Sequence, residues 1–227
     1  MTPSAGTIAP RARGRTVVLV VVAITILIAI PAIAWPLWVA QHRTPDLPDY
    51  GVVPAFAFTD QTGAPFTNAA IDGKVVIANF IFTRCDTVCP VSTLKMARIQ
   101  DDTPEVADDL KLVSFSVDPV YDTPPRLAEY ATRFRADAAR WRFVTGEHEA
   151  LRKIVEDALF ITMDQVGVQD SGQPNIVHQP HFILIDRQRH IRGFYDSTDP
   201  IRLETLRRDA RELVRTTKPG PGPAPAP

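Results

Sequence analysis

Two cysteines separated by three residues are the groups best equipped for chemistry in this sequence. They are Cys85 and Cys89, in the run Phe82-Thr83-Arg84-Cys85-Asp86-Thr87-Val88-Cys89-Pro90. The chain has 227 residues and only these 2 cysteines, too few for a disulfide scaffold but enough for a redox pair or for part of a small metal site. Thiolate is both the nucleophile and the metal ligand, and a helix N-terminus draws a thiol toward that form. The spacing is one residue longer than the C-x-x-C of common disulfide oxidoreductases. Such a loop can close a disulfide, or it can present both sulfurs to one soft metal ion. A purely structural bridge is the less useful reading, because closing so short a loop restrains little chain entropy. A third chemistry is a peroxidatic thiol, since threonine and arginine directly precede Cys85.

Two thiolates seldom complete a metal site, so a third ligand is sought among the 5 histidines. His42, His148 and His190 lie in a linker, a polar helical turn and a hairpin turn, where solvated histidines are usual. His178 and His181 stand in Asn175-Ile176-Val177-His178-Gln179-Pro180-His181-Phe182, just ahead of a strand. Local pattern leaves several roles open here. His178 is a candidate ligand; His181 is a second one or an outward strand residue. Pro180, if cis, would suit a loop that holds a substrate disulfide.

The elements that must position these groups alternate between strand and helix. Val53–Asp60 and Pro65–Thr67 read as two strands joined by the Gln61-Thr62-Gly63 turn. Val75–Phe82 is apolar on both faces, as a central buried strand is, and ends at the cysteine motif. Val91, Leu94 and Ala97 then predict a helix with those residues inward. Leu110–Val117 is a second buried strand, and Asp122-Thr123-Pro124 starts a helix with Thr123 as its cap. Trp141–Val144 is a short strand, and Leu151, Ile154, Val155 and Ala158 mark another helix. His181–Ile185 and Ile191–Tyr195 form a hairpin, and a last helix from Asp199-Pro200 turns Leu203, Leu206, Ala210 and Leu213 inward. Parallel strands closed by an antiparallel hairpin, with cysteines at the end of the first central strand, predict an α/β, thioredoxin-like fold: a mixed sheet flanked by helices. Asp118 and Asp122, at the same end of the sheet, read as cap or loop residues.

The net charge of -1 gives no reason to expect a nucleic-acid partner. From Thr16 to Ala40 there is no charged residue, long enough for one transmembrane helix, with Trp35 and Trp38 near its far end. Arg11, Arg13 and Arg15 precede it, so the N-terminus is expected in the cytoplasm and the domain on the outer face of the cytoplasmic membrane. Ala32-Ile33-Ala34 is the competing cleavage signature, but Trp35-Pro36 and a continuing apolar run favour an uncleaved anchor. The expected organisation is a tail over 1–15, an anchor over 16–40, a linker over 41–50, a domain over 51–216 and a disordered Pro/Gly/Ala tail over 217–227.

Over residues 50 to 215 the chain resembles the Sco/SenC family of copper-binding assembly proteins. The resemblance is carried by Asn79 through Cys85, by Cys89-Pro90, by Val113 through Pro119 with Asp122-Thr123-Pro124, and by Trp141 through Gly146. His178, at its distance from Leu184-Ile185-Asp186, falls where the family has its ligand histidine. The resemblance implies copper, as Cu(I) and/or Cu(II), held by Cys85, Cys89 and His178, and an oxidised state with a Cys85–Cys89 disulfide. It also implies copper delivery or thiol reduction during assembly of the copper centre of a respiratory cytochrome c oxidase. The partners implied are the copper-accepting oxidase subunit and an upstream copper carrier or thiol reductant. The sequence departs from the family pattern at Asp86 and Thr87, where proline and aspartate are common, and at Val177, where aspartate is common. The competing class is a thiol–disulfide reductase in which Cys85 attacks and Cys89 resolves.

Overall fold

The computed structural model describes residues 12–41, 46–155, 165–168, 174–176 and 181–217. Side chains are described for all of these except 12–17, 33–34, 36–41, 165–168 and 174–176. The chain divides into two units, Met1–Arg43 and Thr44–Pro227.

In the first unit, helix α1 runs over Ala12–Gln41. Its described side chains are almost all apolar and exposed, for example Leu19 and Leu27. No helix among the described residues is long and apolar enough to cross a membrane. The anchor expected over 16–40 extends at both ends onto side chains outside the described set.

The second unit is built on a seven-stranded mixed sheet in the order β2-β1-β5-β4-β3-β8-β9. Its strands are β1 (Ala57–Asp60), β2 (Pro65–Thr67), β3 (Val75–Ile81), β4 (Leu110–Ser116), β5 (Trp141–Thr145), β8 (His181–Ile185) and β9 (Ile191–Asp196). Strands β3, β4 and β5 are parallel, and the pairs β1/β2, β1/β5, β3/β8 and β8/β9 are antiparallel. Strands β6 (Gln165–Val168) and β7 (Pro174–Ile176) form a separate antiparallel pair that the sequence pattern did not announce.

All seven residues of β3 are buried, because helices cover both of its faces. Period-two alternation sends Val75, Ile77 and Ile81 to one face and Val76, Ala78 and Phe80 to the other. On the first face lie α2 (Val88–Asp102), α3 (Pro124–Arg133) and α5 (Pro200–Thr216), packing through Met96, Leu127, Leu206 and their neighbours. On the second lie α4 (His148–Lys153), through Leu151, and the phenylalanines Phe56, Phe58 and Phe66. The turns at Gly63 and Gly73 carry φ of 82° and 73°, conformations that cost glycine little.

Three expectations need correction. Helix α2 forms, but Val91 and Leu94 point outward, at 50% and 55% exposure, and the buried face is Cys89, Ser92, Thr93, Met96, Ala97 and Ile99. The first strand is shorter than Val53–Asp60. Its first half is an irregular stretch that still buries Val53 and Phe56, the latter held by Phe56 N–H donating to Asn68 Oδ1 at 2.8 Å. Thr123 occupies the cap position of α3 without a side-chain capping bond. The end of the linker stretch is tied to β9 and the turn before it: Tyr50 N–H donates to Ile191 O, Arg192 donates to Leu47 O, and Asp49 pairs with His190 at 2.7 Å.

Candidate metal centre

Strand β3 delivers the chain to the carboxyl edge of the sheet, where open α/β sheets place their sites. There Val117 N–H donates to Ile81 O, and Cys85 N–H donates back to Phe82 O at 3.1 Å, folding the motif into a tight turn before α2. Thr87, at the cap position of α2, makes no side-chain capping bond. The sulfur of Cys85 takes that role: Cys89 N–H donates to Cys85 Sγ at 3.4 Å. Thr87 Oγ1 lies 3.8 Å from the same sulfur. Cys85 is 7% exposed and Cys89 is fully buried, both as thiols.

The two sulfurs do not share charge equally. The Cys85 thiol is lowered to about 5, first by the hydrogen bond it receives from the Cys89 thiol and then, against the cost of burial, by the N–H groups of Cys89 and Thr87. Cys89 is pushed up by the same bond, by burial and by the negative charge on Cys85. A neighbouring thiol and a helix N-terminus both favour the charged form of Cys85 over that of Cys89. Cys85 is also the more exposed of the two sulfurs.

Behind the motif stands a carboxylate that the sequence reading treated as a loop residue. Asp122 is completely buried. It accepts from Thr83 N–H at 3.1 Å, from Thr83 Oγ1 at 2.5 Å and from Ser116 Oγ at 2.7 Å. Burial pushes its pKa up despite these bonds. Asp122 thus ties the loop two residues before Cys85 to the end of β4. Asp118 accepts from Arg84 Nε at 2.6 Å, and the Arg84 and Arg126 guanidinium groups lie 4.7 and 3.7 Å from the Tyr121 ring centre. The signal that could have exposed this hub is Ser116, a hydroxyl inside an otherwise buried strand, which needs a partner. A second polar chain crosses the core: Trp141 Nε1 donates to Ser114 Oγ, Ser114 Oγ to Asn79 Oδ1, and Asn79 Nδ2 to Ser92 Oγ on α2.

The structure brings Cys85 and Cys89 together. His178 and Pro180 lie outside the described residues, as does His42. Among the described residues no three His, Cys, Asp or Glu side chains are grouped to hold a metal ion. His148 lies 3.6 Å from Glu149, and His190 is held by Asp49. His181 opens β8 opposite Asp196, with its Nδ1 buried and without a hydrogen-bond partner among the described residues. Two soft sulfur donors of unequal protonation can hold a soft cation such as Cu(I), or they can exchange with a disulfide.

Comparison with known proteins agrees with this arrangement. The SCO1/SenC family model matches residues 45–215. The SCO1 protein homolog of Bacillus subtilis is 31% identical over 137 residues, covering 60% of this chain and 69% of its own length. The structure of BsSco, described with a disulfide switch and as a member of the Sco family of cytochrome c oxidase assembly proteins, superimposes with a TM-score of 0.64 and 26% identity. It covers 78% of this chain and 99% of its own. ScoI of Bradyrhizobium japonicum, solved with copper bound, shares the fold with a TM-score of 0.62 at 23% identity, over 72% of this chain and 99% of its own. The match spans the sheet, the cysteine turn and the helices on both faces, and on it the chain belongs to the SCO1/SenC family.

Proposed function

We propose that this chain binds copper through Cys85, Cys89 and His178 and passes it to the copper-accepting subunit of a respiratory cytochrome c oxidase. The observation that carries the reading is the paired sulfurs at the start of α2, one of them thiolate-forming and solvated by the other. Thiolates suit Cu(I), and an added imidazole would let the same site take Cu(II). Family membership and the copper-bound relative support the cargo. Residues 16–40 would anchor the chain once through the cytoplasmic membrane, with the N-terminus in the cytoplasm and the domain on the outer face. An upstream copper carrier or thiol reductant would supply it.

The test is a competition titration of Cu(I) against a chelator, on reduced protein without oxygen. Native protein is expected to take one copper per chain, and Cys85→Ser or Cys89→Ser to lose it. Failure of the native protein to compete would overturn the reading.

The disulfide switch described for BsSco and the lowered Cys85 thiol favour one alternative, thiol–disulfide reduction. The Cys85 thiolate would attack a partner disulfide and release one partner thiolate. Cys89, losing its proton to solvent, would then attack the mixed disulfide and free the second. A Cys85–Cys89 disulfide would remain, the partner being reduced by the two electrons this chain gives up.

A further inference from the structure

The first half of helix α2 buries hydroxyls and exposes aliphatic side chains. Its buried face carries the hydroxyls of Ser92 and Thr93, satisfied by Asn79, Tyr130 and the Cys89 carbonyl. Its outer face carries Val88, Val91 and Leu94, which are 52%, 50% and 55% exposed. At spacings of three these side chains line one stripe, which begins beside Cys89. Further along the same stripe the helix presents Lys95 and Arg98 to an open cleft of about 190 Å³ between α2 and the start of α5, with Arg207 on the far wall. Arg207 is answered by Asp102 and Glu204. Lys95 donates to the Ser197 carbonyl at 2.6 Å, and Asp196 nearby is bonded to Thr198. Arg98 is exposed and has no carboxylate partner among the described residues.

We propose that this stripe and cleft are the docking surface for the protein that exchanges copper with Cys85 and Cys89. The partner segment would lay aliphatic side chains on Val88, Val91 and Leu94 and an acidic side chain against Lys95 and Arg98. The inference rests on the copper-transfer reading and names the chemistry of its partner. Three arguments select this occupant. The stripe starts at the metal-binding turn, so a protein seated on it lies beside the cargo. Its far end is cationic, which selects an acidic rather than a basic segment. Its apolar area is only a few hundred Å², well short of what a stable second copy needs but suited to a contact that must form and break. The helical rise puts Arg98 about 15 Å from Val88. The partner's acidic group is therefore placed about that far from its own copper ligands.

The test uses the full chain in detergent, loaded with Cu(I), and as probe the soluble copper-accepting domain of the source organism's own oxidase subunit. Val91→Ser/Leu94→Ser is expected to keep the native Cu(I) affinity and to lower the second-order transfer rate by about tenfold or more. Arg98→Glu is expected to slow transfer at low salt, with the difference vanishing near about 1 M salt. Native transfer rates in both variants would overturn the proposal. A change in oligomeric state by light scattering would assign the stripe to a second copy instead. A fall in copper affinity itself would assign it to cover by the chain's own segment 156–180. A native chain that loads no copper, or passes none to the probe, would remove the copper-transfer reading and this surface with it. Native transfer with unaffected variants removes the surface alone.

Discussion

Removing the Asp122 carboxylate is expected to loosen the cysteine turn and destabilise the domain together. In Asp122→Ala three donors lose their acceptor: Thr83 N–H at 3.1 Å and Thr83 Oγ1 at 2.5 Å, both half-buried, and the buried Ser116 Oγ at 2.7 Å. An amide screened from water and left without its acceptor costs roughly 1–3 kcal/mol. The two hydroxyls can rotate toward other acceptors and cost less. Against this, a carboxyl whose charging burial disfavours is gone. The net loss is about 3 kcal/mol, which in a domain of this size lowers the melting temperature by roughly 6–12 °C. Asp122→Asn keeps one carbonyl oxygen for Thr83 and offers its amide to Ser116 Oγ, so about 1 kcal/mol is expected. The assay is urea and thermal unfolding of the reduced protein, with Cu(I) affinity measured on the same samples. Copper binding is expected to weaken in Asp122→Ala, because Thr83 stands two residues before Cys85. A stability loss below about 1 kcal/mol in Asp122→Ala would refute the argument that this carboxylate holds the turn.

Three further outcomes follow from other contacts. Alkylation of Cys85 in reduced protein is expected to stay fast as pH falls from 9 toward about 5 and to drop below that, because only the thiolate reacts; Cys89→Ala, which removes the largest cause of the shift, should move the drop to higher pH. Ser114→Ala is expected to cost roughly 1–3 kcal/mol in chemical unfolding by stranding Trp141 Nε1–H and the Asn79 oxygen, with little effect on copper affinity. Asp49→Ala is expected to speed amide exchange at Tyr50 and Val53, whose N–H groups donate to Ile191 and Arg189, while amides in β3 keep their protection.

How much of this was legible in the sequence depended on where polar groups found partners. Val75–Phe82 read as a central strand because every side chain in it but Asn79 is apolar, and β3 runs over Val75–Ile81. The hairpin of β8 and β9 and the inward Leu206, Ala210 and Leu213 of α5 followed from simple periodicity, and Asp199 caps α5 by accepting from Ile201 N–H. Helix α2 was read facing the wrong way, because the rule assumes that aliphatic residues face in. Here Ser92 and Thr93 are inside on long-range bonds to Asn79 and Tyr130, which no local window contains. Asp122 was missed for the same reason, its donor Thr83 being 39 residues away in sequence. The cysteine pair needed no long-range information, since both sulfurs sit within one turn. A third ligand did: local pattern made His178 a candidate beside His181, and the family resemblance is what singled it out.

The central claim is the ligand set, and X-ray absorption at the copper edge of the Cu(I)-loaded chain tests it most directly. Native protein is expected to show two sulfur neighbours and one imidazole nitrogen, and His178→Ala to lose the nitrogen while keeping both sulfurs. A native shell with one sulfur, or a nitrogen that persists in His178→Ala, would contradict it.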